Sequence, residues 1–236
     1  MSAYTVMYNG VTDRSVGCHA QRRPSIPAPV ENIRQISIPG RDANFYESEG
    51  TYGDITIVIT FSFLDRNPNT WAATYRAVKH WLLTSGAGTL RFSDDAGVFY
   101  KVHTVRISGS ERVSKRIGTV TAEFVCEAYT YLDSGETTIP LASTIQNPYD
   151  VCHPIYYLQG VGTCTLTVNE KEFQVVVNVS TAVDSDAFVT YATGSGTFYN
   201  TTANGDYQDL WLQPGNNELS VSSGFTCSLL PRWRCL

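Results

Sequence analysis

Asp54-Ile55-Thr56-Ile57-Val58-Ile59-Thr60-Phe61-Ser62-Phe63-Leu64 is the stretch that decides the fold class. Ile55, Ile57, Ile59, Phe61 and Phe63 fall on one side of an extended chain. Thr56, Val58, Thr60, Ser62 and Leu64 fall on the other. An alternation of period two over this length describes a β-strand with one apolar face and one mixed face. The β-branched and aromatic residues that fill it suit a pleated, half-buried surface.

Downstream the period changes. Asn67-Pro68-Asn69 offers an Asx cap followed by a proline in the first turn. Trp71, Tyr75, Val78 and Leu82 then recur at helical spacing, and Gly86 is a candidate C-terminal cap. The pattern predicts one helix over about 69–85, roughly four turns at the usual pitch. Strands return at Thr89–Ser93 and Phe99–Ile107, on either side of the turn Asp94-Asp95-Ala96-Gly97. A loop over Gly109–Gly118 leads to Thr119–Tyr129, which alternates again through Val120, Ala122, Phe124, Cys126 and Ala128. Upstream, Tyr4–Gly10 reads as a strand closed by Asn9-Gly10. Residues 22–29 hold three prolines and read as extended loop. Ile33–Ile38 is a short strand that stops at Pro39-Gly40, a pair suited to the centre of a type II turn.

Residues 133–148, DSGETTIPLASTIQNP, are polar, with two prolines and no period, and read as a linker between domains over 1–132 and 149–236. The second half carries strands only: Pro154–Leu158, Thr163–Val168, Glu172–Val179, Ala187–Tyr191, Asp206–Leu212, Glu218–Ser222 and Phe225–Leu230. They are separated by turns such as Gly160-Val161-Gly162, and Gly194–Gly205 forms a longer loop. About seven short strands at this spacing mark a β-sandwich.

The chain has 236 residues, 42% of them hydrophobic and 17% charged, enough to build a core in each half. A net charge of −5 argues against a general nucleic-acid binder. The start MSAYTVMYNG lacks the basic and apolar regions of a signal peptide, and no run reaches membrane-spanning length. The six cysteines, at 18, 126, 152, 164, 227 and 235, form no CxxC pair and read as reduced, mostly packed thiols.

The chemistry-bearing residues are scattered. The sequence contains no nucleophile elbow, phosphate loop, HExxH or GxGxxG. His19, His80, His103 and His153 stand apart, so neither a metal nor another cofactor is expected. Asp94/Asp95 and Asp184/Asp186 could serve a glycoside hydrolase, but a turn aspartate bonding its own backbone is the ordinary reading. Trp211 and Trp233 invite sugar stacking, although both alternate with core-like residues. No catalytic residue is assigned.

The ordered set YNG at 8–10, ISIPGRD at 36–42, ITIVITFSF at 55–63, VKHWLL at 78–83, GTLRFSDDAGVFYKV at 88–102, NPYDVCHPIYYLQGVG at 147–162, LWLQPGNNELSV at 210–221 and PRWR at 231–234 resembles the siphophage distal tail protein family over nearly the whole chain. That resemblance implies a mainly β fold. The N-terminal part would be a split β-barrel with one α-helix and a protruding hairpin, and the C-terminal part a galectin-like β-sandwich. It also implies a structural baseplate hub, not an enzyme: a homohexameric ring that joins the tail tube protein to tail-associated hub or receptor-binding proteins. DNA would cross it only as passing cargo, and no membrane insertion is involved. The location implied is the virion tail tip or baseplate, after synthesis in the host bacterial cytoplasm. On this reading the mixed face of strand 54–64, through Val58 and Leu64, lies against a neighbour. The basic loop residues Arg112, Lys115 and Arg116 are a solvated hairpin tip or a contact with acidic partners or lumenal DNA. The rival function is a carbohydrate-binding module for a host cell-surface glycan.

Overall fold

The computed structural model describes residues 4–67 and 69–236. The chain is mainly β with one α-helix, and it forms two compact units that divide between Thr130 and Tyr131.

The N-terminal unit contains β1 (Val6–Tyr8), β2 (Val11–Thr12), β3 (His19–Ala20), β4 (Glu31–Ile36), β5 (Phe45–Tyr52), β6 (Ile55–Leu64), α1 (Trp71–Thr84), β7 (Gly88–Phe92), β8 (Val98–Glu111) and most of β9 (Ile117–Leu132). Seven of these strands follow one another in a sheet of order β2-β1-β7-β8-β9-β6-β3. Strand β6 behaves as its alternation requires. All five residues of its apolar face are buried, and it pairs antiparallel with β9 from Ile55 opposite Cys126 to Leu64 opposite Ile117. Helix α1 covers the apolar face of the sheet. Val78, Trp81 and Leu82 are its buried residues, and the Trp81 ring meets Phe61 at 5.4 Å and Tyr8 at 6.4 Å, edge to face. Trp71 and Tyr75, read as the same buried stripe, are only half-buried and stack on each other at 5.4 Å.

Asp65, not Asn67, organises the entry to α1. Its carboxylate accepts from the Thr70 and Thr74 hydroxyls and from the Asn67 N–H, while the Asn67 side chain accepts from the Asn69 N–H. These hydrogen bonds hold the Asp65 carboxyl below its ordinary range. The proline expected in the first turn, Pro68, lies outside the described residues. The loop expected over Gly109–Gly118 is shorter, because β8 runs to Glu111 and β9 starts at Ile117. Glycine and serine at 108–110 hid the strand, whose ladder tolerates them once β9 lies alongside.

The C-terminal unit contains β10 (Ile139–Pro140), β11 (Thr144–Asn147), β12 (Ile155–Val168), β13 (Lys171–Asp184), β14 (Val189–Ala192), β15 (Gly215–Val221), β16 (Thr226–Leu230) and β17 (Arg234–Cys235). The segment read as a linker, 133–148, contributes two of these strands: Ile139 pairs with Leu229, and β11 pairs with β15 throughout its length. Strands β12 and β13 form one hairpin paired from Ile155–Asp184 to Val168–Lys171. The glycines expected to separate two strands instead bend one. Gly160 and Gly162 have φ of 148° and 117°, and opposite them Val179 has φ of 70°. On one side of the bend β12 pairs with β16, on the other with β15, so the hairpin takes different neighbours on the two sides of its bend within one seven-stranded sheet. Tyr156, Leu158, Cys164, Leu166, Phe173, Val175, Val177 and Leu229 belong to the buried core of this unit. A Cβ on Gly160 would lie 2.4 Å from the Phe225 ring, so the bend needs glycine for space as well as for φ. The strand expected at Asp206–Leu212 is a 3-10 turn over Tyr207–Leu210, because the Asp206 carboxylate caps the Gln208 N–H.

Candidate assembly surfaces

Strands β4 and β5 form a two-stranded sheet of their own. The turn between them begins as the sequence demands: the Arg41 N–H donates to the Ile38 carbonyl at 3.1 Å around Pro39 and Gly40, the latter at φ 82°. Every residue of β5 except Tyr52 is exposed, as are four of the six residues of β4. Val30 is 76% exposed, Tyr46 63%, Ile33 52% and Phe45 49%. Cross-strand pairs Arg34–Glu47 and Ile36–Phe45 stand on one face, and Gln35–Tyr46 and Ile33–Ser48 on the other, so apolar groups project from both faces. A ribbon of two strands has no core of its own, and one with large apolar side chains on both faces is built to be covered. Sequence reading missed β5 because Glu47, Ser48, Glu49 and Gly50 interrupt it. The aromatic pair Phe45-Tyr46 shortly after a proline–glycine turn was the available signal.

The residues singled out from the sequence fall in two places. Leu64 is 65% exposed and pairs with Ile117, 40% exposed, at the end of the β6–β9 ladder. The tip 112–116 adjoins them: the Asp65 N–H donates to the Arg116 carbonyl at 2.8 Å. Arg112 is engaged within the unit. Its guanidinium lies 4.8 Å from the Trp71 ring centroid and donates to the Lys115 carbonyl at 3.1 Å. Leu64, Arg112, Lys115 and Arg116 therefore share one end of the sheet. Val58, 48% exposed, stands six residues up the strand, roughly 20 Å away at the usual rise.

The C-terminal unit carries a denser polar cluster. Asp184 receives both guanidinium nitrogens of Arg232, at 2.8 and 3.0 Å, and also the N–H groups of Asp186 and Ala187, the turn-aspartate role expected of it. His153 Nδ1 lies 2.7 Å from Asp186 Oδ1, and Arg234 Nη2 lies 2.9 Å from His153 Nε2. A guanidinium can only donate and a carboxylate only accept, so this imidazole is the neutral Nδ1–H tautomer. Burial is the main reason its pKa falls below the ordinary value. Asp186 opposes that shift, and Arg234 adds to it. Trp211 stacks on His153 at 4.0 Å and donates its N–H to the Ser185 carbonyl, so the indole serves packing. Asp94 pairs with Arg23 at 3.1 Å. Among the described residues no three His, Cys, Asp or Glu side chains converge as metal ligands would, and no helix is long and apolar enough to cross a membrane. Burial pushes the thiols of Cys18, Cys126, Cys152 and Cys227 up to about 12, which leaves them unreactive.

Residues 12–126 match the family model of the phage tail protein RIFT-related domain. The chain carries a phage tail protein domain. The crystal structure of the SPP1 Dit (gp 19.1) protein, described as a paradigm of the hub adsorption apparatus in phages infecting Gram-positive bacteria, superimposes with a TM-score of 0.71 at 16% identity, covering 100% of both chains. The two units thus share a fold with that distal tail protein from end to end. A chain of the phage P2 baseplate in its activated conformation with Ca aligns over 99% of this chain and 97% of its own, at 8% identity and a TM-score of 0.49. No curated protein sequence matches the chain. The matched domain is one of phage tail proteins, and the whole-chain fold is shared with the SPP1 Dit protein.

Proposed function

We propose that the protein is a distal tail protein: a non-enzymatic hub that forms a homohexameric ring joining the tail tube protein to the tail-tip or receptor-binding apparatus. The ring leaves an axial channel for DNA, and the C-terminal unit is its galectin-like domain. The observation that carries this reading is the β4–β5 ribbon, with Ile33, Phe45 and Tyr46 exposed. Such a surface is stable in a tail protein only when a partner covers it. The tail-protein domain over 12–126, which includes the ribbon, supports the same reading. Val58, and the group of Leu64, Arg112, Lys115 and Arg116, are further contact residues in this proposal. Electron micrographs of the purified chain test it: six-fold rings are expected, and monomer alone at every accessible concentration counts against it.

A further inference from the structure

We propose that His153 is a pH-operated catch: protonation of its Nε2 expels the Arg234 side chain and releases the strap formed by residues 231–234 from the segment 150–153. The catch does not depend on the ring assembly proposed above. On one side of the strap the Arg232 N–H donates to the Gly135 carbonyl at 2.9 Å, and the Trp233 carbonyl accepts from the Leu132 N–H at 3.0 Å. The approach is close, since a Cβ on Gly135 would stand 2.2 Å from the Trp233 nitrogen. Arg232 itself has a left-handed φ of 55°, which a non-glycine residue keeps only where its surroundings hold it. On the other side two arginine side chains do the holding. Arg232 donates both guanidinium nitrogens to Asp184. Arg234 donates from Nη2 to His153 Nε2 at 2.9 Å and from Nε to the Val151 carbonyl at 2.7 Å, while its carbonyl accepts from the Asp150 N–H at 3.2 Å.

The contact between His153 and Arg234 is the one in this set that a single proton near neutral pH reverses. Trp211 lies flat on the imidazole at 4.0 Å, with its own N–H fixed on the Ser185 carbonyl, and His153 Nδ1–H donates to Asp186. With Nδ1 already protonated, a second proton lands on Nε2. The His153 side chain is 15% exposed, so that proton comes from water. Nε2 then turns from acceptor to donor, and it faces a guanidinium that has only N–H groups to offer. Two donors and two cations would stand 2.9 Å apart. Arg234 is 9% exposed, and a cation so placed does not stay where its acceptor has become a like charge. The charged groups around the ring set the balance. Asp186 favours the imidazolium, whereas Arg234 and Arg232 oppose it, and Arg232 also reaches Asp186 at 3.9 Å. Once Arg234 leaves, the imidazolium keeps its ion pair with Asp186, so the open strap binds the proton more tightly than the closed one. The closed strap therefore weakens as the pH falls below about 6.5.

Hydrogen exchange of the full chain, read by mass spectrometry and corrected for the intrinsic pH dependence of exchange, tests the catch. Protection of the segments 148–153 and 230–235 should fall by about fivefold from about pH 7.5 to 5.5. The core segment 173–177 should stay protected longer than the strap at both pH values. In His153→Gln the side chain still accepts from Arg234 and donates to Asp186 but does not titrate, so the strap should stay closed throughout. Circular dichroism confirms that the variant folds. If it does not, Arg234→Gln takes its place, because it removes the opposing cation and should likewise abolish the acid step. Wild-type protection that does not change with pH overturns the catch, as does an equal acid loss in the variant. A strap and core that exchange at one common rate at low pH also overturn it, since the whole unit then opens and no strap is released.

Discussion

Two of the molecule's antiparallel hairpins, β12–β13 and β4–β5, have opposite fates. The β12–β13 hairpin buries Tyr156, Leu158, Leu166, Phe173, Val175 and Val177 completely or nearly so, and bends at glycine to pair with β16 on one side and β15 on the other. The β4–β5 hairpin buries almost nothing. Both satisfy their inner backbone groups by the same cross-strand pairing, so hydrogen bonding does not separate them. Burial does. One hairpin draws its stability from its own unit, at about 1.5–3 kcal/mol for each large side chain removed from water. The other leaves that gain to be realised against a partner. Substitutions in the first should therefore register as stability, and in the second as assembly.

The largest effect is expected for Phe173→Ala in β13. Deleting a fully buried phenyl ring should cost about 3–5 kcal/mol, read by denaturant unfolding. A cost under about 1 kcal/mol would remove β12–β13 from the role of core hairpin. Gly160→Ala comes next. The new methyl meets the Phe225 ring and the φ of 148° excludes most side chains, so a loss of about 1–3 kcal/mol is expected. Val179→Asn should act in the other direction. Val179 is 69% exposed and holds a left-handed φ of 70° that a β-branched residue resists and asparagine accepts. Relief of that strain should raise stability by about 1 kcal/mol.

A smaller, pH-dependent effect belongs to His153. Its folded pKa lies below the unfolded value near 6.5, so the folded chain binds fewer protons there. The resulting stability is fully present above pH 6.5 and is lost as the pH falls through the folded pKa. His153→Gln can accept from Arg234 and donate to Asp186 without titrating. Its unfolding curves should lack the wild-type decline below about pH 6.5. The smallest effect on the isolated chain is expected for Phe45→Ser in β5, within about 0.5 kcal/mol by unfolding of the monomer. The same substitution should markedly weaken assembly in sedimentation. A monomer destabilised by more than 1 kcal/mol would show that the ribbon packs at home and would dissolve the contrast.

Elements that bury one face were legible from residue order. The alternation of 54–64, the helix around Val78 and Leu82, and the turns at Asn9-Gly10 and Pro39-Gly40 all stand where the sequence puts them. Elements defined by a distant partner were not. Strand β11 looked like polar linker because only its pairing with β15 makes Ile145 and Asn147 interior residues. The Gly160–Gly162 stretch looked like a turn because local φ preference does not reveal that β13 runs alongside it unbroken. The basic tip was visible as charge, but Trp71 beneath Arg112 was not. Neither was the exposure of Phe45 and Tyr46, since an aromatic pair reads the same whether it is buried or bare.

The sequence by itself determined the β class, the single helix and the principal turns, because side-chain period and backbone φ are properties of neighbours along the chain. The tertiary structure alone decided which polar stretches became strands, how one hairpin bends to take two different neighbours, and which apolar groups were left at the surface. Those outcomes depend on which segments meet in space. That is set by the summed burial of residues far apart in sequence, which no local pattern encodes.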